Sequence, residues 1–243
     1  MRRLSSVAAV AAGLLVLALR PAPAPRSTFA GSTVTGKVKF VGKAPANPAI
    51  DMSEEPKCKA KYTTTPHEEI VSVNKNGTLG NVFVYVKTGL PADAKYPAPA
   101  TPVVIDQNGC TYHPRTFGIM VGQNLEIKNS DPLLHNIKAM GKKNRPFNIS
   151  QPNAGMTTIR TFTTAEVILP VECNVHGWMH AFVGVLPHPF FATSGADGSF
   201  SITGLPAGTY TLEAWHEKYG VQSATVTVTG SDSKTADFTY TAK

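Results

Sequence analysis

The hydrophobic pattern along the chain predicts short β-strands rather than helices. From residue 31 onward, runs rich in Val, Ile, Thr, Phe and Tyr alternate apolar with polar positions, which is typical of strands with one buried face. Such runs lie at residues 34–40, 82–86, 125–128, 159–163 and 224–228. Gly and Pro (20 and 19 residues) separate them, and turn pairs such as Asn76-Gly77 and Asp197-Gly198 lie between them. The pattern predicts an all-β fold built as a sandwich or barrel.

One loop between two predicted strands concentrates side chains that bind metals. An apolar run at 167–171 enters this loop, and another at 181–185 leaves it. Between them stand Cys173, His176 and Met179, three residues apart. A thiolate, an imidazole and a weak thioether are three of the ligands of a trigonal copper site with a long axial Met. The loop therefore predicts a copper site that needs one more imidazole.

His135 is the candidate for the missing imidazole. The run 125–129 ends before Asp131-Pro132, since proline restricts the backbone of the residue that precedes it, and His135 follows shortly after. Two loops at one end of a sandwich would bring His135 to Cys173. Polar residues flank this loop and are candidates to hold the ligand by hydrogen bonds, or are ordinary turn residues: Asn129, Ser130 and Asn136.

These two segments together resemble a known ligand pattern. Asn129-Ser130-Asp131-Pro132-x-x-His135-Asn136, followed by Cys173-x-x-His176-x-x-Met179, is similar to the cupredoxins, the small blue copper proteins such as plastocyanin and amicyanin. The resemblance covers residues 100–187. It implies a Greek-key β-sandwich with one mononuclear type 1 copper, bound by His135, Cys173, His176 and Met179. His180, directly after Met179, departs from the pattern and is the alternative fourth ligand.

The predicted site indicates an electron carrier rather than an enzyme. We expect an exported protein that moves one electron to a transient redox partner, with no catalytic residues of its own. His176 would be the electron exit, within an apolar docking patch formed by Trp178, Pro187 and Phe190. The alternatives are a copper carrier with the same ligands, a metal-free adhesion or scaffold module, a zinc site, and an enzyme with Cys173 as nucleophile.

The two ends of the chain resemble a second family. Residues 193–212 carry an Asp-Gly-x-Phe strand and then a Leu-Pro-x-Gly-x-Tyr turn, similar to the carboxypeptidase regulatory-like (prealbumin-like) β-sandwich. Residues 34–38 and 82–86 resemble strands of the same family. We predict that residues 31–99 and 188–243 form one such sandwich, with the cupredoxin-like domain of residues 100–187 inserted in it or fused to it. Sequential small domains are the alternative, although the segment from residue 188 is marginal for a core of its own.

Residues 1–30 have the features of an export signal. Arg2 and Arg3 precede an apolar run from Val7 to Leu19 that is too short to span a bilayer comfortably. We predict cleavage after Ala30 and a periplasmic or secreted protein, whose contact with the membrane is through this signal. An uncleaved membrane anchor is the alternative.

The charge does not indicate a nucleic-acid partner. The formal net charge is +7, but four arginines and no acidic residue lie in the signal, so removing those four charges leaves +3. That small surplus, spread over some 210 residues, is not a nucleic-acid footprint. The sequence also has no Gly-rich phosphate loop and no haem-attachment Cys-x-x-Cys-His.

The three cysteines favour an oxidising compartment. If Cys173 binds a metal, Cys58 and Cys110 remain and can form one disulfide. Two unpaired buried thiols are the alternative.

Overall fold

A computed structural model describes residues 31–242, and the predicted export signal lies outside them. Within this range the chain is built from strands and one single-turn helix, so the all-β prediction is confirmed. No helix of the described part is long and apolar enough to cross a membrane.

The elements follow one another in this order: β1 Ser32–Val41, α1 Pro56–Lys59, β2 Phe83–Thr88, β3 Val103–Gln107, β4 Tyr112–His113, β5 Thr116–Met120, β6 Asn124–Asn129, β7 His135–Ala139, β8 Phe147–Gln151, β9 Thr157–Thr161, β10 Glu166–Glu172, β11 His180–Leu186, β12 Phe191–Thr193, β13 Ser199–Leu205, β14 Gly208–His216, β15 Gly220–Val228, β16 Ser233–Thr235 and β17 Phe238–Thr241.

The first sandwich takes strands from both ends of the chain. One sheet has the order β13-β1-β16 with β17 also paired to β1, and the other has the order β12-β2-β14-β15. Alternate residues of these strands fill one apolar core, which includes Val34, Val84, Leu212 and Tyr240. Tyr210, from the Leu-Pro-x-Gly-x-Tyr turn, is buried there and donates its hydroxyl to the carbonyl of Pro206 at 2.9 Å. We propose on this topology that residues 31–99 and 188–243 form one split domain.

The second sandwich is formed by the strands between β2 and β12. Its sheets have the orders β5-β11-β10-β7-β8 and β4-β3-β6-β9, and a separate core lies between them. Strand β10 pairs with β11 on one side and with β7 on the other. The loop after β10 and the loop before β7 therefore meet at one end of this sandwich, which brings the two predicted ligand segments together.

A long connection between β1 and β2 covers that end of the second sandwich. Residues 48–68, which we call the cover segment, contain α1 and close on themselves through the bridge between Ala49 and His67. Ile50, Met52 and Cys58 of this segment form a small core with residues of the second sandwich, Cys110 and Leu133. The cover segment thus connects two strands of the first sandwich but packs against the second sandwich.

The two sandwiches meet through an aromatic cluster that requires two glycines. Phe83 of β2 is fully buried and stacks on Tyr85 with ring centroids 5.6 Å apart. A Cβ atom at Gly184 would lie 2.2 Å from a ring carbon of Phe83, and a Cβ at Gly118 would lie 2.3 Å from Phe191. The strands β5 and β11 can accept these rings only because they have no side chain at those positions.

Replacing Gly184 by Ala tests this junction. The added methyl group must displace the buried ring of Phe83, and overpacking of this kind costs about 1–3 kcal/mol. Urea unfolding should show that loss of stability, whereas Gly195→Ala, where the nearest atom is 3.7 Å from the added Cβ, should change stability by much less. Equal effects of the two changes would contradict the close packing.

Two buried histidines should make the first sandwich sensitive to acid. Burial lowers the pKa of His216 to about 4, helped by the charges of Arg115 and Lys218, and burial likewise lowers the pKa of His188 to about 4. Both values lie below the ordinary 6.5. The two neutral histidines therefore contribute fully to stability above pH 6.5, and this contribution is lost as the pH falls through 4.

The His216→Gln variant tests this pH dependence. We expect its free energy of unfolding to fall less than that of the unchanged protein between pH 6.5 and 4, by up to about 3 kcal/mol. Urea unfolding at several pH values measures it, with His67→Gln, at an exposed position, as the control. An unchanged slope in His216→Gln would show that His216 does not titrate in this range.

Candidate metal centre

Three predicted ligands converge at the end of the second sandwich. The Nδ1 atoms of His135 and His176 are 2.9 Å apart, and Sγ of Cys173 is 3.8 Å from Nδ1 of His176. The three donor atoms all lie within 4.8 Å of one another. Both imidazoles are fully buried, and Cys173 is 5% exposed. His135 begins β7, and the other two lie in the loop between β10 and β11.

This donor set fits one copper ion. With metal–nitrogen bonds of about 2.0 Å and metal–sulfur bonds of about 2.3 Å, the donors of a trigonal site lie roughly 3.5–3.7 Å apart. The observed distances of 2.9 and 3.8 Å lie on either side of that range. One thiolate with two imidazoles and a thioether nearby is a combination that suits copper. The buried His, Cys, His and Met cluster is therefore consistent with a type 1 copper site.

Met179 lies in the same core as Cys173, whereas His180 does not. Met179 is 1% exposed, its carbonyl accepts the backbone N–H of Cys173 at 3.2 Å, and its N–H donates to the carbonyl of His176 at 3.0 Å. His180 opens β11, opposite Glu172 of β10. Side chains of successive residues in an extended chain point to opposite faces. His180 and Met179 both line a cavity of about 360 Å³, together with His67 and His113.

Hydrogen bonds hold the thiol of Cys173 in place. Its Sγ contacts Oδ1 of Asn136 at 3.2 Å and accepts the backbone N–H of His176 at 3.4 Å. The same Asn136 oxygen accepts the N–H of Asn174 at 2.6 Å. Burial would raise the pKa of Cys173, but hydrogen bonds from His176, from the backbone at Asn136 and from the loop outweigh burial and lower it. The thiolate, which is the metal-binding form, is favoured.

The candidate residues around the His135 loop have distinct roles. Asn136 contacts the thiol directly, as described. Asn129 donates from its side-chain amide to the carbonyls of Leu133 and Gln151 at 3.0 and 2.8 Å, so that it fixes the loop. Ser130 donates to Asp106 at 2.8 Å and does not touch a ligand.

A buried carboxylate, Asp131, is the residue that sequence reasoning missed. Its Oδ2 lies 2.9 Å from Nε2 of His135, and its Oδ1 pairs with Nζ of Lys61 at 2.7 Å. It also accepts the backbone N–H groups of Gly109 and Cys110 at 3.0 and 2.7 Å. The spacing of four residues to His135 is a weak signal for such a pair, but the contact with Lys61 is not visible in sequence.

The charge state of this pair follows from its surroundings. Burial would raise the pKa of Asp131, but Lys61, the two backbone N–H groups and His135 together lower it to about 2. Burial lowers the pKa of His135, and Asp131 partly offsets this. At neutral pH Asp131 is therefore ionised, and a neutral His135 that donates Nε2–H to it leaves Nδ1 free for a metal.

His176, the electron exit expected from the sequence, is buried rather than exposed. The cover segment lies over it: Sγ of Cys58 is 3.6 Å and Oε2 of Glu55 is 3.7 Å from its Nε2. Trp178 does lie beside it, with ring centroids 5.2 Å apart. Phe190, by contrast, is buried in the core of the first sandwich. The apolar residues that are exposed beside ligands are Leu134 and Val175, each 42% exposed.

The predicted disulfide is confirmed. Cys58 of the cover segment is bonded to Cys110, which lies between β3 and β4, and Cys173 remains a free thiol. The bonded pair is fully buried. The carbonyl of Cys110 accepts the indole N–H of Trp178 at 2.9 Å. The disulfide thus ties the cover segment to the end of the sandwich that holds the ligands.

The Asp131→Asn variant tests the role of the carboxylate. Removing one partner of a buried ion pair leaves the other charge uncompensated, and we expect a loss of about 3 kcal/mol in the free energy of unfolding. The control is Asp237→Asn, which breaks the more exposed pair with Lys39 and should cost less than about 1 kcal/mol. Urea unfolding of the metal-free proteins measures the free energy lost in each variant. Equal losses would contradict the role of Asp131 as a buried carboxylate that holds its partners together.

The comparisons with known proteins each match only part of the chain. None of the curated proteins matches this chain. Among solved structures, the copper-containing nitrite reductase from Thermus scotoductus SA-01 is 22% identical over 40% of this chain, with a TM-score of 0.33. This chain spans only 25% of that protein's length.

Two smaller proteins match over nearly their whole length. A purple cupredoxin from Nitrosopumilus maritimus is 22% identical, with 34% of this chain and 97% of that chain covered and a TM-score of 0.29. A Cu(I) form of amicyanin is 18% identical, with 42% and 97% covered and a TM-score of 0.31.

A family model matches the C-terminal part of the chain. The model of the carboxypeptidase regulatory-like domain covers residues 183–241, so that it begins inside β11, five residues before the boundary predicted from the sequence. The matched segment contains β12 to β17, which all belong to the first sandwich. Residues 183–241 therefore match the carboxypeptidase regulatory-like domain, and the strands between β2 and β12 form a second β-sandwich.

Proposed function

We propose that this protein is an exported type 1 copper protein that carries one electron at a time. The observation that carries the proposal is the convergence of two imidazole Nδ1 atoms and one thiol within 4.8 Å at a buried position. We assign His135, Cys173 and His176 as residues that would hold the copper ion. Met179 would be the fourth ligand, since it shares the core of Cys173 while His180 does not.

The surrounding residues hold the ligands in place before a metal arrives. Asp131 orients His135, Asn136 positions Cys173, and the backbone of the short loop fixes His176. A copper ion bound there would supply one-electron chemistry, and Met179 and the hydrogen bonds to the sulfur of Cys173 would adjust its reduction potential. Ligands locked by such contacts move little when the charge at the centre changes, which favours rapid electron transfer.

The burial of the site favours an electron carrier over an enzyme and over a protein that delivers copper. A catalytic metal keeps a position open for water or substrate, but the four assigned side chains are at most 5% exposed. The cover segment, fixed by a disulfide, also stands between the site and solvent on the side of His176. That arrangement opposes both substrate entry and ready release of copper to a second protein.

The partner would be a redox protein that binds briefly. Leu134 and Val175 are exposed and each precedes an assigned histidine ligand. A small apolar surface of this kind suits the weak, small interfaces of electron-transfer encounters. A location outside the cytoplasm fits the Cys58–Cys110 disulfide, since such bonds persist in oxidising compartments.

Titration with Cu(II), followed by visible absorption, tests the proposal. We expect an intense thiolate-to-copper band that saturates at one equivalent and is absent in Cys173→Ser. His135→Asn should weaken or abolish the band. Met179→Leu should keep the band but change the reduction potential. Met120→Leu should change neither, because Met120 is a buried methionine at the end of β5 away from the candidate site. A protein that stays colourless at one equivalent would remove the electron-carrier function.

A further inference from the structure

A second set of metal-binding side chains lies directly against the first. Cys58, Cys110 and His176 also place their ligand atoms within 4.8 Å of one another, and all three residues are fully buried. This set uses Nε2 of His176, which is 3.6 Å from Sγ of Cys58. The first set uses Nδ1 of the same ring. The two sets therefore lie on opposite sides of one imidazole.

We propose that reduction of the Cys58–Cys110 disulfide creates a second metal site, formed by the two thiolates and Nε2 of His176. Two thiolates and an imidazole are soft and borderline donors, the combination that selects Zn²⁺ or Cu(I) rather than Mg²⁺ or Ca²⁺. The site would take one such ion. Its sulfur donors are locked in the disulfide when the protein is oxidised, so metal binding depends on the redox state.

Carboxylates stand close enough to complete the coordination. Oε2 of Glu55 lies 3.7 Å from Nε2 of His176, and a carboxylate of Asp131 forms a further set with Cys110 and His135 within 4.8 Å. A fourth ligand from Glu55 would give the tetrahedral, closed arrangement of a structural zinc site. Glu55 is the better candidate because Asp131 is already occupied by Lys61 and His135.

The reductive step is a thiol–disulfide exchange. A dithiol attacks one sulfur of the Cys58–Cys110 bond; the Sγ–Sγ bond breaks, and the reagent leaves as its own disulfide. Two electrons pass to the protein, and the two cysteines end as thiols, whose protons are released when a metal binds. The cover segment can admit the reagent by local opening, since α1 is a single turn with Lys57 and Lys59 exposed.

The second site does not rest on the proposed electron-carrier function, because it can be examined without Cys173. In the Cys173→Ser variant, Cys58 and Cys110 are the only cysteines in the chain. Any thiolate-to-metal absorption in that variant must therefore come from the thiolates of Cys58 or Cys110. Failure of the copper titration above would leave this test unaffected.

The experiment is a Cd²⁺ titration of the Cys173→Ser protein, with and without prior reduction by a phosphine under anaerobic conditions. We expect ultraviolet thiolate-to-cadmium absorption that saturates at one equivalent in the reduced sample and is absent in the oxidised one. Adding His176→Asn should weaken Cd²⁺ binding by about tenfold or more. Adding Cys110→Ser should abolish the one-equivalent saturation.

The matched control is His113→Asn in the same background. His113 lies three residues from Cys110 but is exposed and contacts Thr111 at 2.8 Å, so its loss should leave the affinity unchanged. Weaker binding in His113→Asn would place the site elsewhere and overturn the proposal. The proposal would also be overturned if Cd²⁺ binding did not depend on His176, because the two thiols of an opened chain would bind Cd²⁺ in that way.

Discussion

The buried carboxylate of Asp131 is the group on which the candidate metal centre depends. It binds His135 on one side and the cover segment, through Lys61, on the other, and it also accepts two backbone N–H groups beside the disulfide. An ionised carboxylate in a buried place is stable only when its hydrogen-bonding capacity is used. The ligand loop, the disulfide turn and the cover segment therefore have to assemble together around it.

The cover segment changes what the end of the sandwich can do. With His176 exposed, that end would present a ligand directly to a partner. Instead, Cys58 and Glu55 lie against Nε2 of that histidine, and the disulfide holds them there. A covalent link between cover and sandwich also limits the freedom of the unfolded chain. The same contact puts two sulfur atoms beside His176, so that the candidate metal centre and the disulfide adjoin opposite sides of one imidazole.

The split sandwich supplies the frame for this arrangement. Strands β1 and β2 pair with strands from the other end of the chain, so the strands before and after the second sandwich, and the strand before the cover segment, belong to one sandwich. The ring of Phe83 fills the space left by Gly184, and this contact joins the two sandwiches. Contacts of this kind are close-packed.

The sequence predicted the all-β fold, which the structure confirms, and it predicted the ligand residues of the candidate site. Alternating apolar positions mark strands because the side-chain period of a strand is two, and Cys173, His176 and Met179 share one loop. His135, the disulfide and the split order of strands were also predicted, from spacing, cysteine number and resemblance. Tertiary structure decided that His176 is covered, that Asp131 orients His135, and that Cys58 contacts a ligand. The contact between Cys58 and His176 joins residues 118 positions apart, and no local pattern encodes such a pair, because it depends on how the second sandwich and the cover segment pack.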